Sequence, residues 1–121
     1  YKKRFSHSKD LIIKKWPSKS NLNAWYVKLI QQGYQNSHIH PDGWISGVFY
    51  LKVPKFINKQ DGSIKLTIDG YDYPVNKRLP SLVHSPKDFD LILFPSSLFH
   101  RTIPFRLKET RHVIAFDLIP F

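Results

Sequence analysis

His38-Ile39-His40 is the first place in this 121-residue chain where residue type and spacing together suggest chemistry. On an extended strand, side chains two apart leave the same face, with Cα atoms roughly 6.5–7 Å apart. Two imidazoles placed this way can converge on one metal ion at about 2.0–2.2 Å each. By itself the pair also reads as surface histidines beside the turn Pro41-Asp42-Gly43. A second segment, Leu93-Phe94-Pro95-Ser96-Ser97-Leu98-Phe99-His100, sets another histidine just after a buried strand and a proline-bent turn. Arg111 follows eleven residues later, within Arg111-His112-Val113-Ile114-Ala115-Phe116-Asp117. An arginine in so apolar a run points inward and needs an anionic partner. Asp117 or Asp90 could serve in a structural ion pair, or a bound anion could. His112 should face away from Arg111.

Short strands must position these residues. Residues 24–30 alternate, and the apolar run 44–53 ends at Pro54. Ile64-Lys65-Leu66-Thr67-Ile68 alternates strictly. Asp69-Gly70 then signals a hairpin returning through Tyr71-Asp72-Tyr73-Pro74-Val75. Residues 76–87 read as loop, Asp90-Leu91-Ile92-Leu93-Phe94 as a buried strand, and 100–105 and 111–119 as two more. Leu11-Ile12-Ile13 fits one turn of helix or a short strand, with Pro17 ending it and 18–23 as loop. No stretch keeps a 3.6-residue period over three turns. The pattern predicts a mainly β domain, a sandwich or jelly roll with few or short helices. One domain is expected over 1–121, with 1–23 a basic flank and 24–120 the core.

Composition narrows the chemistry. The chain has no cysteine, which removes disulfides, zinc–thiolate sites, iron–sulfur clusters and a cysteine nucleophile. A metal must then be held by His, Asp or Glu, and Glu109 is the sole glutamate. The net charge of +10 marks either a soluble basic surface or attraction to something anionic. Nucleic acid stays possible, but no RNA-binding, zinc-finger or phosphate-loop motif supports it. Ser96 and Ser97 lack a neighbouring acid–base set, so a serine hydrolase is not expected. His7, His84 and His112 read as solvated or structural, and Trp16, Trp25 and Trp44 as core or pocket wall. No apolar run approaches the ~20 residues of a membrane span, and no secretory signal is present. A cytoplasmic setting is the expectation. With no methionine and a start at Tyr1, the chain is expected to be a fragment, a processed form or a trimmed one.

Three pieces together resemble the 2-oxoglutarate/Fe(II) oxygenase family, a branch of the double-stranded β-helix dioxygenases. They are Gln35-Asn36-Ser37-His38-Ile39-His40-Pro41 running into Gly43-Trp44-Ile45-Ser46-Gly47-Val48-Phe49-Tyr50-Leu51, the segment ending at His100, and Arg111 through Asp117. Their order and spacing match, and the resemblance covers residues 24–120. It implies a double-stranded β-helix and Fe(II) as the metal, with 2-oxoglutarate and O2 as co-substrates. It places metal ligands at His38, His40 and His100, and a clamp for the far carboxylate of 2-oxoglutarate at Arg111. Tyr50 falls where related enzymes direct a tyrosine hydroxyl at that same carboxylate, though it reads equally as a core tyrosine. The wider superfamily commonly uses His-x-Asp, which His40-Pro41-Asp42 also spells. The branch resembled here fixes His-x-His-Pro, which favours three histidines over Asp42. The activity implied is hydroxylation of an unidentified substrate, with residues 54–62 and 76–87 as the segments expected to face it. A cupin-like three-histidine enzyme that does not use 2-oxoglutarate, or a non-catalytic metal-bearing binding module, are the alternatives.

Overall fold

The computed structural model describes residues 7–55, 58–70, 74, 76 and 78–121. Its strands are β1 (Ser20–Leu29), β2 (Ile45–Lys52), β3 (Ile64–Thr67), β4 (Ser81–His84), β5 (Leu91–Pro95), β6 (Phe99–Thr102) and β7 (Arg111–Pro120). Among the described residues the one helix, α1 (Leu11–Lys14), starts where the Asp10 carboxylate accepts the Ile12 amide at 3.0 Å, and it buries Ile13. The strands form two antiparallel sheets, ordered β1-β7-β2-β5 and β4-β3-β6.

The segment carrying the first two histidines completes the second sheet. His38 and His100 exchange both backbone hydrogen bonds, at 3.1 and 3.0 Å. The Thr102 amide donates to Gln35 and the His40 amide to Ser96, so residues 35–40 run along the free edge of β6. Two sheets of four thus face each other, the jelly roll known as a double-stranded β-helix. The predicted fold class holds.

Strand parity decides what lies between the sheets. In β2, Ser46, Val48 and Tyr50 are buried, and their partners across the ladder to β7 are Asp117, Ala115 and Val113. In the second sheet Ile64 and Leu66 point inward opposite Thr102 and His100. Val48, Tyr50, Ile64, Leu66, Phe94 and Val113 form one cluster, with Val27, Val53, Ile92 and Leu98 packed against it. Gly47 lies on the opposite face of β2, where an added Cβ would sit 2.2 Å from the Phe116 ring. Glycine is what lets that ring lie across the strand.

Four local expectations are corrected. Residues 20–23, read as loop, belong to β1. They are polar and poor strand formers, but β7 offers a ladder from Ser20↔Pro120 to Leu29↔Arg111, and pairing overrides propensity. Residues 76–87, also read as loop, contain β4. The Asp69-Gly70 hairpin does not close on the expected neighbour, because β4 and β6 occupy both edges of β3. Of the expected return strand, 71–73 and 75 lie outside the described residues. The strand expected over 100–105 is displaced to Phe99–Thr102. Among the described residues no helix is long and apolar enough to cross a membrane.

Phe94 is 4% exposed, belongs to the core cluster and lies 4.7 Å from His100 by ring centroids. Phe94→Ala should destabilise the chain by about 3–5 kcal/mol. Phe89→Ala, at a ring left 73% exposed, should cost no more than about 0.5 kcal/mol. Urea unfolding of the two variants checks the contrast.

Candidate metal centre

Both histidine segments deliver their rings to one point between the sheets. The ligand nitrogens of His38, His40 and His100 all lie within 4.8 Å of one another. The ring centroids are 5.1 Å apart for His38–His40, 4.2 Å for His38–His100 and 5.0 Å for His40–His100. Adjacent ligands at ~2.1 Å from one ion stand about 3 Å apart, so a small inward movement closes the set. Asp42 is exposed in the turn after His40 and is not part of the group.

The hydrogen bonds assign a tautomer to each ring. His38 Nδ1 lies 2.6 Å from the Asn36 carbonyl oxygen, His100 Nδ1 lies 3.2 Å from that of Leu98, and His40 Nδ1 lies 2.6 Å from Asp117 Oδ2. Every Nδ1 faces an oxygen that can only accept, so each Nδ1 carries the proton. The Nε2 lone pairs are left free. This is the protonation state and second-sphere support that a metal-binding imidazole needs. His100 is further kept from protonating: burial, together with the neighbouring imidazoles, pushes its pKa down from 6.5 to about 4.

Asp117 is held in turn. The Ser46 hydroxyl donates to Asp117 Oδ1 at 2.6 Å, and the Ser96 hydroxyl lies 2.8 Å from that of Ser46. Ser46 has one proton and the carboxylate can only accept, so Ser96 must supply the bond between the two hydroxyls. Ser46 and Ser96 are buried, and the chain Ser96–Ser46–Asp117–His40 runs from the turn after β5 to the centre. From sequence, Ser96 has no assigned role and Asp117 is a candidate partner for Arg111; the structure gives Asp117 to His40 and links Ser96 to it through Ser46. The signal available was parity: Asp117 shares an inward face with Val113 and ends beside the histidines. Trp25 acts as pocket wall, its ring 5.6 Å from that of His40.

Arg111 is 3% exposed and lines the same cavity as the three histidines. Neither anticipated carboxylate pairs with it. Asp117 holds His40 and Ser46, while Asp90 pairs with His84 at 3.1 Å and caps the Lys87 amide. Among the described residues Arg111 has no ion-pair partner, and its buried Nε has no acceptor. Its guanidinium carbon stands 4.9 Å from the centroid of the Tyr50 ring. The Tyr50 hydroxyl is also buried and makes no hydrogen bond of good geometry. Burial raises the Tyr50 pKa, and Arg111, by its positive charge and by the approach of its N–H groups to the hydroxyl, offsets part of that rise. A buried guanidinium beside a buried hydroxyl leaves donors with which the oxygens of an anion could hydrogen-bond. The donor set therefore fits a divalent cation, and this pair fits an anion bound beside it. His112 faces the other way, between Tyr26 and Thr110.

Residues 23–117 match the protein family described as "Putative 2OG-Fe(II) oxygenase". No curated protein matches the chain by sequence. Among solved structures, the chain is similar to a prolyl-4-hydroxylase from Pseudomonas putida, with a TM-score of 0.66 at 12% identity, covering 84% of this chain and 52% of that one. It is also similar to a 2OG-Fe(II) oxygenase family oxidoreductase from Burkholderia pseudomallei, with a TM-score of 0.64 at 13% identity, covering 88% and 46%. A third, iron-bound HygX from Streptomyces hygroscopicus, gives a TM-score of 0.60 at 11% identity, covering 98% and 67%. The chain spans about half the length of the first two.

The low pKa of His100 carries a pH signature. Folded His100 stays neutral down to pH about 4, whereas an unfolded histidine protonates near 6.5. The unfolded state therefore holds the extra proton between these values. Stability of the metal-free protein should fall as pH drops from 6.5 to 4, by up to about 3 kcal/mol, and this contribution should level off below. Urea midpoints across that window should show the decline flattened in His100→Gln; parallel curves would contradict the assignment.

Proposed function

Because this chain belongs to the 2OG-Fe(II) oxygenase family, we propose that it is the catalytic core of an iron(II)- and 2-oxoglutarate-dependent hydroxylase in which His38, His40 and His100 hold the metal and Arg111 with Tyr50 receives the far carboxylate of 2-oxoglutarate. The observation that carries this reading is the pairing of two unmet demands in one cavity. Three neutral imidazoles turn free lone pairs to a common point, and a buried guanidinium lacks an anion.

Iron(II) with 2-oxoglutarate and O2 supplies the oxidation of a substrate C–H bond. The chain's own residues bind and orient. His38, His40 and His100 would hold the metal, whose other positions would be open to exogenous ligands. Asp117 keeps the proton on His40 Nδ1 and so keeps its Nε2 available. Arg111 offers a planar fork that a carboxylate can meet with two parallel hydrogen bonds, which lysine cannot reproduce. Tyr50 donates its hydroxyl proton to the same carboxylate, and its raised pKa keeps that proton in place. Trp25, Phe94 and Val113 line the cavity and restrict water. A set of three histidines adds no negative charge to the metal. An anionic co-substrate then provides charge balance that an aspartate ligand gives elsewhere. A three-histidine centre that takes no 2-oxoglutarate would leave Arg111 buried without purpose.

Anaerobic addition of Fe(II) and then 2-oxoglutarate should produce a visible metal-to-co-substrate charge-transfer band. Arg111→Lys should still bind Fe(II) but require at least tenfold more 2-oxoglutarate to develop that band. Absence of the band in the unaltered chain, or unchanged 2-oxoglutarate affinity in the variant, would overturn the proposal.

A further inference from the structure

The outer face of the second sheet carries a charge arrangement that the metal centre does not use. Lys65 of β3 stands directly across the ladder from Arg101 of β6. Their neighbours in the same strands, Leu66 and His100, point inward, so both cations point outward. Like charges directly opposite one another on a sheet face oppose folding. Among the described residues neither cation has a carboxylate partner. Among the described residues lining the groove the acid is Asp69, whose carboxylate accepts the Asn76 amide at 3.5 Å.

These two cations line a groove of about 1040 Å³, the scale of a small-molecule site. Thr67 and Ser81, a register pair on the same face, add hydroxyls beside them. The strand that bears the histidines borders the groove along the edge of β6, and Gln35, His38 and Arg101 line both this groove and the cavity of the metal centre. Arg101 is also the residue next to His100 in sequence. A molecule held by its charged end over Lys65 and Arg101 can therefore reach the centre along residues 35–38.

We infer that this groove binds the prime substrate and selects one bearing an anionic oxygen group, phosphate or carboxylate, which Lys65 and Arg101 grip together. The inference rests on the oxygenase reading for the meaning of "substrate", but the anion site itself needs neither metal nor co-substrate. That separates the two tests.

Inorganic phosphate and, in parallel, acetate are titrated into the metal-free full chain at constant ionic strength, with backbone amide shifts followed by NMR. Saturable shifts are expected at residues 64–67 and 99–102, and the tighter of the two ions identifies the group. Lys65→Gln and Arg101→Gln should each weaken that ion at least fivefold. Lys28→Gln, at an exposed cation of β1 outside the groove, should leave it unchanged. Circular dichroism confirms that each variant is folded. Shifts that never saturate, or equal weakening by all three variants, would overturn the inference. Loss of the charge-transfer band with a saturable, Arg101-dependent anion site would instead sink the oxygenase reading and leave the site standing.

Discussion

A pair of backbone hydrogen bonds between His38 and His100 governs the arrangement of this molecule. Sixty-two residues separate the two in sequence, and the bridge places them opposite one another on adjacent strands, rings inward. Two residues on, the extended backbone brings His40 to the same side, where its amide donates to Ser96. The rings rest on a rigid ladder, which suits a site whose ligand geometry must hold to a fraction of an ångström. Adding residues 35–40 to β6 also closes the second sheet at four strands, so the step that assembles the centre completes the fold.

Around that bridge the chain holds its polar groups in two ways. At the histidine end each Nδ1 meets an acceptor, and Asp117 and the two serines form a closed chain, so that only the three Nε2 lone pairs stay unused. At the arginine end the opposite holds, with Arg111 Nε and the Tyr50 hydroxyl both buried and unmatched. Burying a cation without a partner costs several kcal/mol. Such a cost is tolerated where a ligand is meant to offset it, and local violations of otherwise consistent design concentrate at functional sites. The contrast between the two ends is what motivates the proposal that the arginine end receives an anion.

The histidines, the inward-facing arginine and the β-rich fold were legible in the sequence because each rests on local rules: spacing along a strand, an apolar context, turn residues. What escaped depended on partners distant in sequence. The strand character of residues 20–23 comes from β7, and β4 forms because β3 has an edge to fill. In the sequence Asp117 stands out only as a partner for Arg111. Its place beside Ser46 and His40 follows from the register Ser46↔Asp117, and pairing register between β2 and β7 cannot be read from either strand alone. Ser46 and Ser96 carried no signal at all, since a buried hydroxyl becomes informative only when its acceptor is known. Lys65 and Arg101 were two of many basic residues until the ladder set them face to face.

The central claim is that three imidazoles meet one metal ion through Nε2. X-ray absorption at the iron edge of the anaerobic Fe(II)-loaded chain counts coordinated imidazoles from their multiple-scattering pattern. Three histidine nitrogens at about 2.0–2.2 Å, falling to two in His38→Ala, are the predicted result. Two imidazoles in the unaltered chain with a carboxylate oxygen in place of the third, or a count unaffected by replacing His38, would contradict the account.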